Sequence, residues 1–199
     1  METMKIMVDL DRVVFDCPSA VFLLANHLDK KASKSNPLKY VEVDSEEAMN
    51  YSSALSFFQL FNDKVLVEVE GAVKTLQNWN KQGFEIHFVS SRPNLKPMKR
   101  ATVKWLKKNN IDYSKLIFAC SNKAEYCKAH HMDAMVDDNY QNCKNTRNEG
   151  IPAIWLVNKH NRYDASYFAS KLNIATDWNE IDTFMQSINR LKQKGVPTK

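Results

Sequence analysis

The sequence predicts an α/β protein in which a parallel sheet carries helices on both faces and a small helical cap is inserted after the first strand. Two observations carry that prediction. Short apolar runs alternate with segments of helical period along most of the 199 residues, the pattern of repeated strand–helix units. The strand that should pair next after the first arrives only near residue 84, so the block between them interrupts the alternation. The expected organisation is therefore a core of residues 1–15 and 71–199 with a cap of residues 16–70.

Taken in order, strands are expected at about 4–10, 84–90, 115–119, 133–136 and 152–157. The segment GAVKTLQNWNKQG places Val73, Leu76 and Trp79 on one helical face, with Ala72 at its edge, and Gly83 is a fitting C-terminal stop. A second helix puts Lys96, Arg100, Lys104, Lys107 and Lys108 opposite Leu95, Met98, Trp105 and Leu106, a basic stripe across from a buried face. The segment WNEIDTFMQSINRL repeats the amphipathic spacing with Ile181, Phe184, Met185, Ile188 and Leu191. The insertion contains PSAVFLLANHL, then a polar stretch, then the acidic and aromatic VDSEEAMNYSSALSFFQLF.

Composition narrows the function classes. Hydrophobic residues at 44% and charged residues at 26% exclude disordered and collagen-like chains. No apolar run reaches the roughly 20 residues that span a bilayer, and METMKIMVDL runs directly into a strand instead of an export signal. Cys17, Cys120, Cys127 and Cys143 lack paired spacing and read as reduced thiols. These features predict a cytoplasmic protein without a membrane partner. A net charge of +5 suits an anionic ligand but is too mild to diagnose nucleic acid.

The chemistry lies at strand ends. Asp9 and Asp11 follow KIMV, Asp137 and Asp138 follow AMV, and each pair succeeds an apolar run. Residues two apart in extended chain point the same way, so Asp9 and Asp11 can face one ligand. Gathering such carboxylates costs Coulomb and desolvation energy unless a hard cation such as Mg²⁺, or raised pKa values, offsets it. Ser90 closes another strand in HFVSSRP, and Lys123 leads a helix in SNKAEYCKAHHM. Open parallel sheets bind ligands at the carboxyl ends of their strands. One carboxylate can attack phosphorus while a second moves the proton; a hydroxyl or N–H at Ser90 and the Lys123 ammonium can hold the other phosphoryl oxygens.

The order DLDRVV, HFVSSRP, a helix-leading Lys and VDDN resembles the haloacid dehalogenase superfamily of aspartate-nucleophile phosphohydrolases. VEVEGAVKTLQNWNKQGFEIHFVSSRP, NKAEYCKAHHMDAMVDDN, KHNRYD and ATDWNEI are more narrowly similar to the branch of cytosolic 5′(3′)-deoxyribonucleotidases and their bacterial and phage relatives. The resemblance implies a Rossmann-like core, a small helical cap, Mg²⁺ as cofactor and hydrolysis of nucleoside monophosphates. It makes Asp9 the nucleophile and a metal ligand. Asp11 becomes the general acid and base whose backbone carbonyl also meets the metal. Ser90 and Lys123 become phosphate ligands, with Lys128 a second choice for the lysine, and Ser91 and Arg92 line the phosphate pocket. Asp137 becomes a metal ligand, with Asp138 assisting through water or a neighbouring contact.

Two features depart from the pattern or leave it open. Arg12 stands where relatives commonly carry Gly or another small residue, and so either reshapes the first loop or offers a further cation to the substrate. Phe15, Tyr51, Phe57, Phe58 and Phe61 are candidates for stacking on a base, although the helical spacing of Phe57, Phe58 and Phe61 equally fits the interior of the cap. His130 and His131 fit a helix C-terminus better than a metal site. Trp105 and Trp155 read as packing residues, while Asn161 and Arg162 resemble a family signature near the substrate mouth, with a loop-ordering role equally open.

The expected partner is a small phosphomonoester, a nucleotide above others, and a homodimer is an open alternative. The basic stripe motivates a polynucleotide end phosphatase as the other enzyme reading. A catalytically silent phosphate-binding protein of the same fold is the non-enzyme reading.

Overall fold

A computed structural model describes residues 2–16, 66–92, 94, 96–159, 161–162 and 172–196. Strands β1 (Lys5–Val8), β4 (Glu85–Val89), β5 (Lys115–Ile117), β6 (Ala134–Asp137), β7 (Ala153–Leu156) and β8 (Asn173–Ala175) form one sheet in the order β5-β4-β1-β6-β7-β8. Every neighbouring pair is parallel. Helices α1 (Ala72–Lys81), α2 (Lys96–Lys108), α3 (Lys123–Ala129) and α4 (Tyr140–Asn148) lie in crossovers between strands, and α5 (Trp178–Gln193) follows the last strand and packs on the sheet. This is the Rossmann-like α/β architecture the alternation predicts.

Strand periodicity divides the core in two. Along β1, Ile6 and Val8 point to one face and Met7 to the other. The first face packs Leu76 and Trp79 of α1, Trp105 and Leu106 of α2, and Ile181, Met185 and Ile188 of α5 against Ile6, Val8, Phe88 and Val136. The second packs Cys127 of α3 and Cys143 of α4 against Met7, Val89, Met135 and Trp155. Burial on both faces explains why these strands read as unbroken apolar runs.

The amphipathic helices fall where their periods place them. Leu191 alone of the expected α5 face is exposed, at 39%, because it sits in the last turn beyond the sheet. On α2, Trp105 and Leu106 are buried, while Arg100, Lys104, Lys107 and Lys108 face solvent; Leu95 and the side chain of Met98 lie outside the described set. Gly83 ends α1 at φ +77, as its position suggested.

Gly71 is required for two reasons. It caps α1 at φ +86, and a Cβ there would stand 3.2 Å from Cβ of Trp178 on α5. Gly71→Ala is expected to destabilise the protein by about 1–2 kcal/mol through the left-handed backbone alone, with Trp178 shifted as well. Denaturant unfolding of the two proteins checks this.

Two short strands lie beside the sheet. β2 (Phe15–Asp16) pairs antiparallel with β3 (Val67–Glu68), so the chain leaves the core and returns to it side by side. The expected cap of residues 16–70 falls almost wholly outside the described residues, as do Tyr51, Phe57, Phe58 and Phe61. β8 was not anticipated: NIA is a three-residue edge strand with too little apolar sequence to stand out.

Candidate active site

The sheet reverses its winding between β1 and β6. From β1 the chain moves outward to β4 and β5, and from β6 it moves the other way to β7 and β8. Such a switch point opens a crevice beyond the carboxyl ends of its two strands. Asp9 directly follows β1, with its N–H donating to the Val136 carbonyl at 3.0 Å, and Asp137 closes β6. Carboxylate oxygens of Asp9, Asp137 and Asp138 lie within 4.8 Å of one another.

Lys123 joins two of them. It opens α3, where Asn122 caps the helix by accepting from the Glu125 N–H and Glu125 accepts in turn from the Asn122 amide. That cap aims a side chain only 4% exposed into the crevice, where its ammonium donates to Asp9 Oδ1 at 2.5 Å and Asp137 Oδ2 at 2.7 Å. Lys128, the second choice, lies on the outer surface and pairs with Glu149 at 2.7 Å.

Two of the three carboxylates share one buried ammonium, and the electrostatics follow. Burial pushes the Asp9 carboxyl up to about 8; Lys123 opposes the rise, while Asp137, Asp11 and Asp138 add to it. Burial likewise raises Asp138 to about 7, with Asp137 contributing and Arg12 opposing. Lys123 is held far above the ordinary lysine value: Asp137 and Asp9 outweigh the burial that would lower it. The site gathers three carboxyl groups whose negative charge is disfavoured without further cations, a set of hard oxygen donors suited to a small divalent cation.

Several hydrogen bonds that the sequence did not reveal orient these acidic residues. Asp137 accepts from the Asn139 N–H at 2.8 Å and from the Asn142 side chain at 3.0 Å. The Asp138 carbonyl accepts from Trp155 Nε1 at 2.8 Å and from Asn161 Nδ2 at 2.7 Å. Trp155 thus does more than pack. Asn161 also ties its loop to the Leu156 carbonyl and the Asn158 N–H, the ordering role open to it from the sequence. His130 and His131 sit at the end of α3, and His130 Nδ1 lies 3.0 Å from the Tyr126 carbonyl.

The remaining candidates lie around the rim. Ser90 is buried, and its hydroxyl accepts from the Arg92 N–H at 3.1 Å; Ser91 is exposed and donates to the Cys120 carbonyl. Asp11 does not turn its carboxylate to the acidic triad: both its oxygens accept from Arg92, at 2.6 and 2.5 Å. Arg12 adopts φ +59, a left-handed conformation that explains why Gly suits this position, and its guanidinium lies 3.7 Å from Asp138. Phe15 corrects an expectation. It was a candidate for stacking on a base, but its ring is fully buried in the core, 5.1 Å from that of Trp105, because its strand turns inward.

A parallel sheet with buried acidic ligands and a lysine at its switch point defines a phosphohydrolase-type α/β enzyme. The chain belongs to the haloacid dehalogenase (HAD) superfamily, subfamily IIIB (acid phosphatase), whose family model matches residues 36–146. That span includes Ser90, Arg92, Lys123, Asp137 and Asp138.

Solved structures share the fold at low identity. A haloacid dehalogenase-like hydrolase from Streptococcus pneumoniae is similar with a TM-score of 0.65 at 12% identity, covering 92% of this chain and 98% of its own. A predicted phosphoglycolate phosphatase from Haemophilus somnus gives 0.65 at 14%, covering 92% and 97%. A HAD-hydrolase from Bacillus subtilis, bound to magnesium, gives 0.57 at 11%, covering 94% and 100%. No curated protein matches the sequence. Among the described residues, no helix is long and apolar enough to cross a membrane.

Proposed function

We propose that the protein is a Mg²⁺-dependent phosphomonoesterase that works through an aspartyl phosphate on Asp9 and acts on nucleoside and deoxynucleoside monophosphates. The observation that carries this reading is the Lys123 ammonium between the Asp9 and Asp137 carboxylates at the switch point of the sheet. A nucleophile, a phosphate-binding cation and metal ligands thereby share one crevice.

In this reading Asp9 attacks phosphorus. The new P–O bond forms as the ester P–O bond breaks, and the leaving oxygen takes a proton from Asp11. Water then attacks the acyl phosphate and gives its proton to Asp11, which frees inorganic phosphate and restores Asp9. Lys123 and Ser90 hold the phosphoryl oxygens over which charge spreads. The carboxylates of Asp9, Asp137 and Asp138, with the Asp11 carbonyl, would hold Mg²⁺, which is in general use in the superfamily. The ion would neutralise phosphate charge beside an anionic nucleophile.

The nucleotide assignment rests on the sequence segments that resemble deoxyribonucleotidases. We further assign residues 16–70 to a small helical cap, whose two ends meet the core at the paired strands β2 and β3. A reducing, cytoplasmic setting suits the free thiols Cys120, Cys127 and Cys143.

The test is a panel of p-nitrophenyl phosphate, nucleoside monophosphates, sugar phosphates and 3′-phosphorylated oligonucleotides, assayed with Mg²⁺ and with chelator. The highest kcat/KM is expected on nucleoside monophosphates, lost on chelation and weakly dependent on salt. A steep fall with salt on the oligonucleotides would instead favour polynucleotide ends, bound along Arg100, Lys104, Lys107 and Lys108 of α2. No phosphate release from any ester would sink the enzyme reading.

A further inference from the structure

Arg92 was expected in the phosphate pocket, yet the structure commits its guanidinium elsewhere. Nε and one terminal nitrogen form a fork on the two oxygens of Asp11, across 81 residues of sequence. The Arg92 side chain is 5% exposed and that of Asp11 44%, so the arginine backs the carboxylate from the protein interior and leaves its outer side open. The arginine is itself immobilised. Its guanidinium lies 4.9 Å over the Phe15 ring, its N–H donates to the Ser90 hydroxyl, and its carbonyl accepts from the Ala119 N–H.

We infer that Arg92 is a positioning residue that fixes the plane and reach of Asp11, and thereby the direction of proton transfer to the leaving oxygen. A guanidinium presents parallel donors at fixed spacing and can set a carboxylate's orientation, whereas a lysine ammonium is a point charge that cannot. A general acid must meet its oxygen within hydrogen-bond reach, so a carboxylate free to rotate delivers its proton poorly. The bulk and full burial of Phe15 acquire a purpose here: the ring is the platform on which the guanidinium lies. This role rests on the phosphatase reading and adds to it.

The test separates the two by leaving group. p-Nitrophenolate leaves as a stable anion and needs little proton assistance, whereas a nucleoside alkoxide needs it strongly. Arg92→Lys and Arg92→Gln are expected to lower kcat/KM on a nucleoside 5′-monophosphate by roughly 10- to 100-fold, part of what general acid catalysis supplies. The loss on p-nitrophenyl phosphate should be several-fold at most. In an Asp11→Asn background the same changes at Arg92 should add nearly nothing, because members of one unit are not additive.

Equal losses on both esters, or an Arg92 effect that persists in Asp11→Asn, would overturn the role and make Arg92 a phosphate ligand. Unfolding of both Arg92 variants in thermal melts would overturn it in favour of a packing role. A parent that hydrolyses neither ester defeats the phosphatase reading and this role together. An active parent with a uniform Arg92 loss defeats this role alone.

Discussion

Asp9→Asn is expected to lower phosphate release by on the order of 10⁴-fold or more, the scale on which removal of a covalent nucleophile acts. The substitution keeps the shape of the side chain and one oxygen able to accept from Lys123, but an amide does not form an acyl phosphate. Substrate binding should survive, because Lys123, Ser90, Asp137 and Asp138 are untouched. The fold should survive as well. Burial and three neighbouring acids already hold the Asp9 carboxyl near 8, so removing its charge relieves repulsion in the metal-free protein. Three measurements decide the matter: steady-state hydrolysis of p-nitrophenyl phosphate, trapping of the phosphorylated enzyme by rapid quench, and a thermal melt expected no lower than that of the parent. A variant that turns over normally, or still accumulates phosphoenzyme, would remove Asp9 from the role of nucleophile.

The parts of this site that the sequence revealed are those encoded locally. Asp9, Ser90 and Asp137 each end an apolar run, and an apolar run bounded by a polar residue marks a buried strand and its terminus in one stroke. Lys123 was legible for a related reason, since Asn122 and Glu125 announce a helix start. What escaped were contacts between distant segments. The Asp11–Arg92 fork, the Trp155 and Asn161 hydrogen bonds to the Asp138 carbonyl and the Asn142 bond to Asp137 depend on which strands become neighbours. Phe15 misled because an aromatic beside a catalytic loop suits a substrate pocket and a core equally. Its burial against Trp105 is decided by the packing of α2. The pair β2 and β3 escaped because two-residue strands carry no period.

Lys123→Met carries the second large expectation, and it concerns stability. Methionine fills much of the same volume but leaves Asp9 and Asp137 buried without their shared cation. Removing one partner from a buried ionic cluster costs about 3–5 kcal/mol, and the loss should depend on pH. Asp9 and Asp138 lie well above their ordinary value of 3.8 when folded. The folded state therefore keeps protons that the unfolded state releases, and stability falls as pH rises from about 4 through 8. Without the ammonium that restrains the Asp9 rise, the fall should extend to higher pH. The lysine acts in the opposite sense: its pKa is raised by folding, so its contribution is fully present below about 10.5 and constant across this window. Deleting it removes that constant and exposes the carboxylate slope. Denaturant unfolding should show a deficit already at pH 5 that grows further by pH 8. Mg²⁺ should recover part of the stability of both proteins, more at pH 8 than at pH 5, by supplying positive charge to the same oxygens. Catalysis should fall by roughly 10²–10³-fold with the loss of a phosphoryl-binding cation. A variant as stable as the parent at pH 8 in the absence of metal would mean that the three carboxylates are not held against one another, and the basis for a cation site between β1 and β6 would be gone.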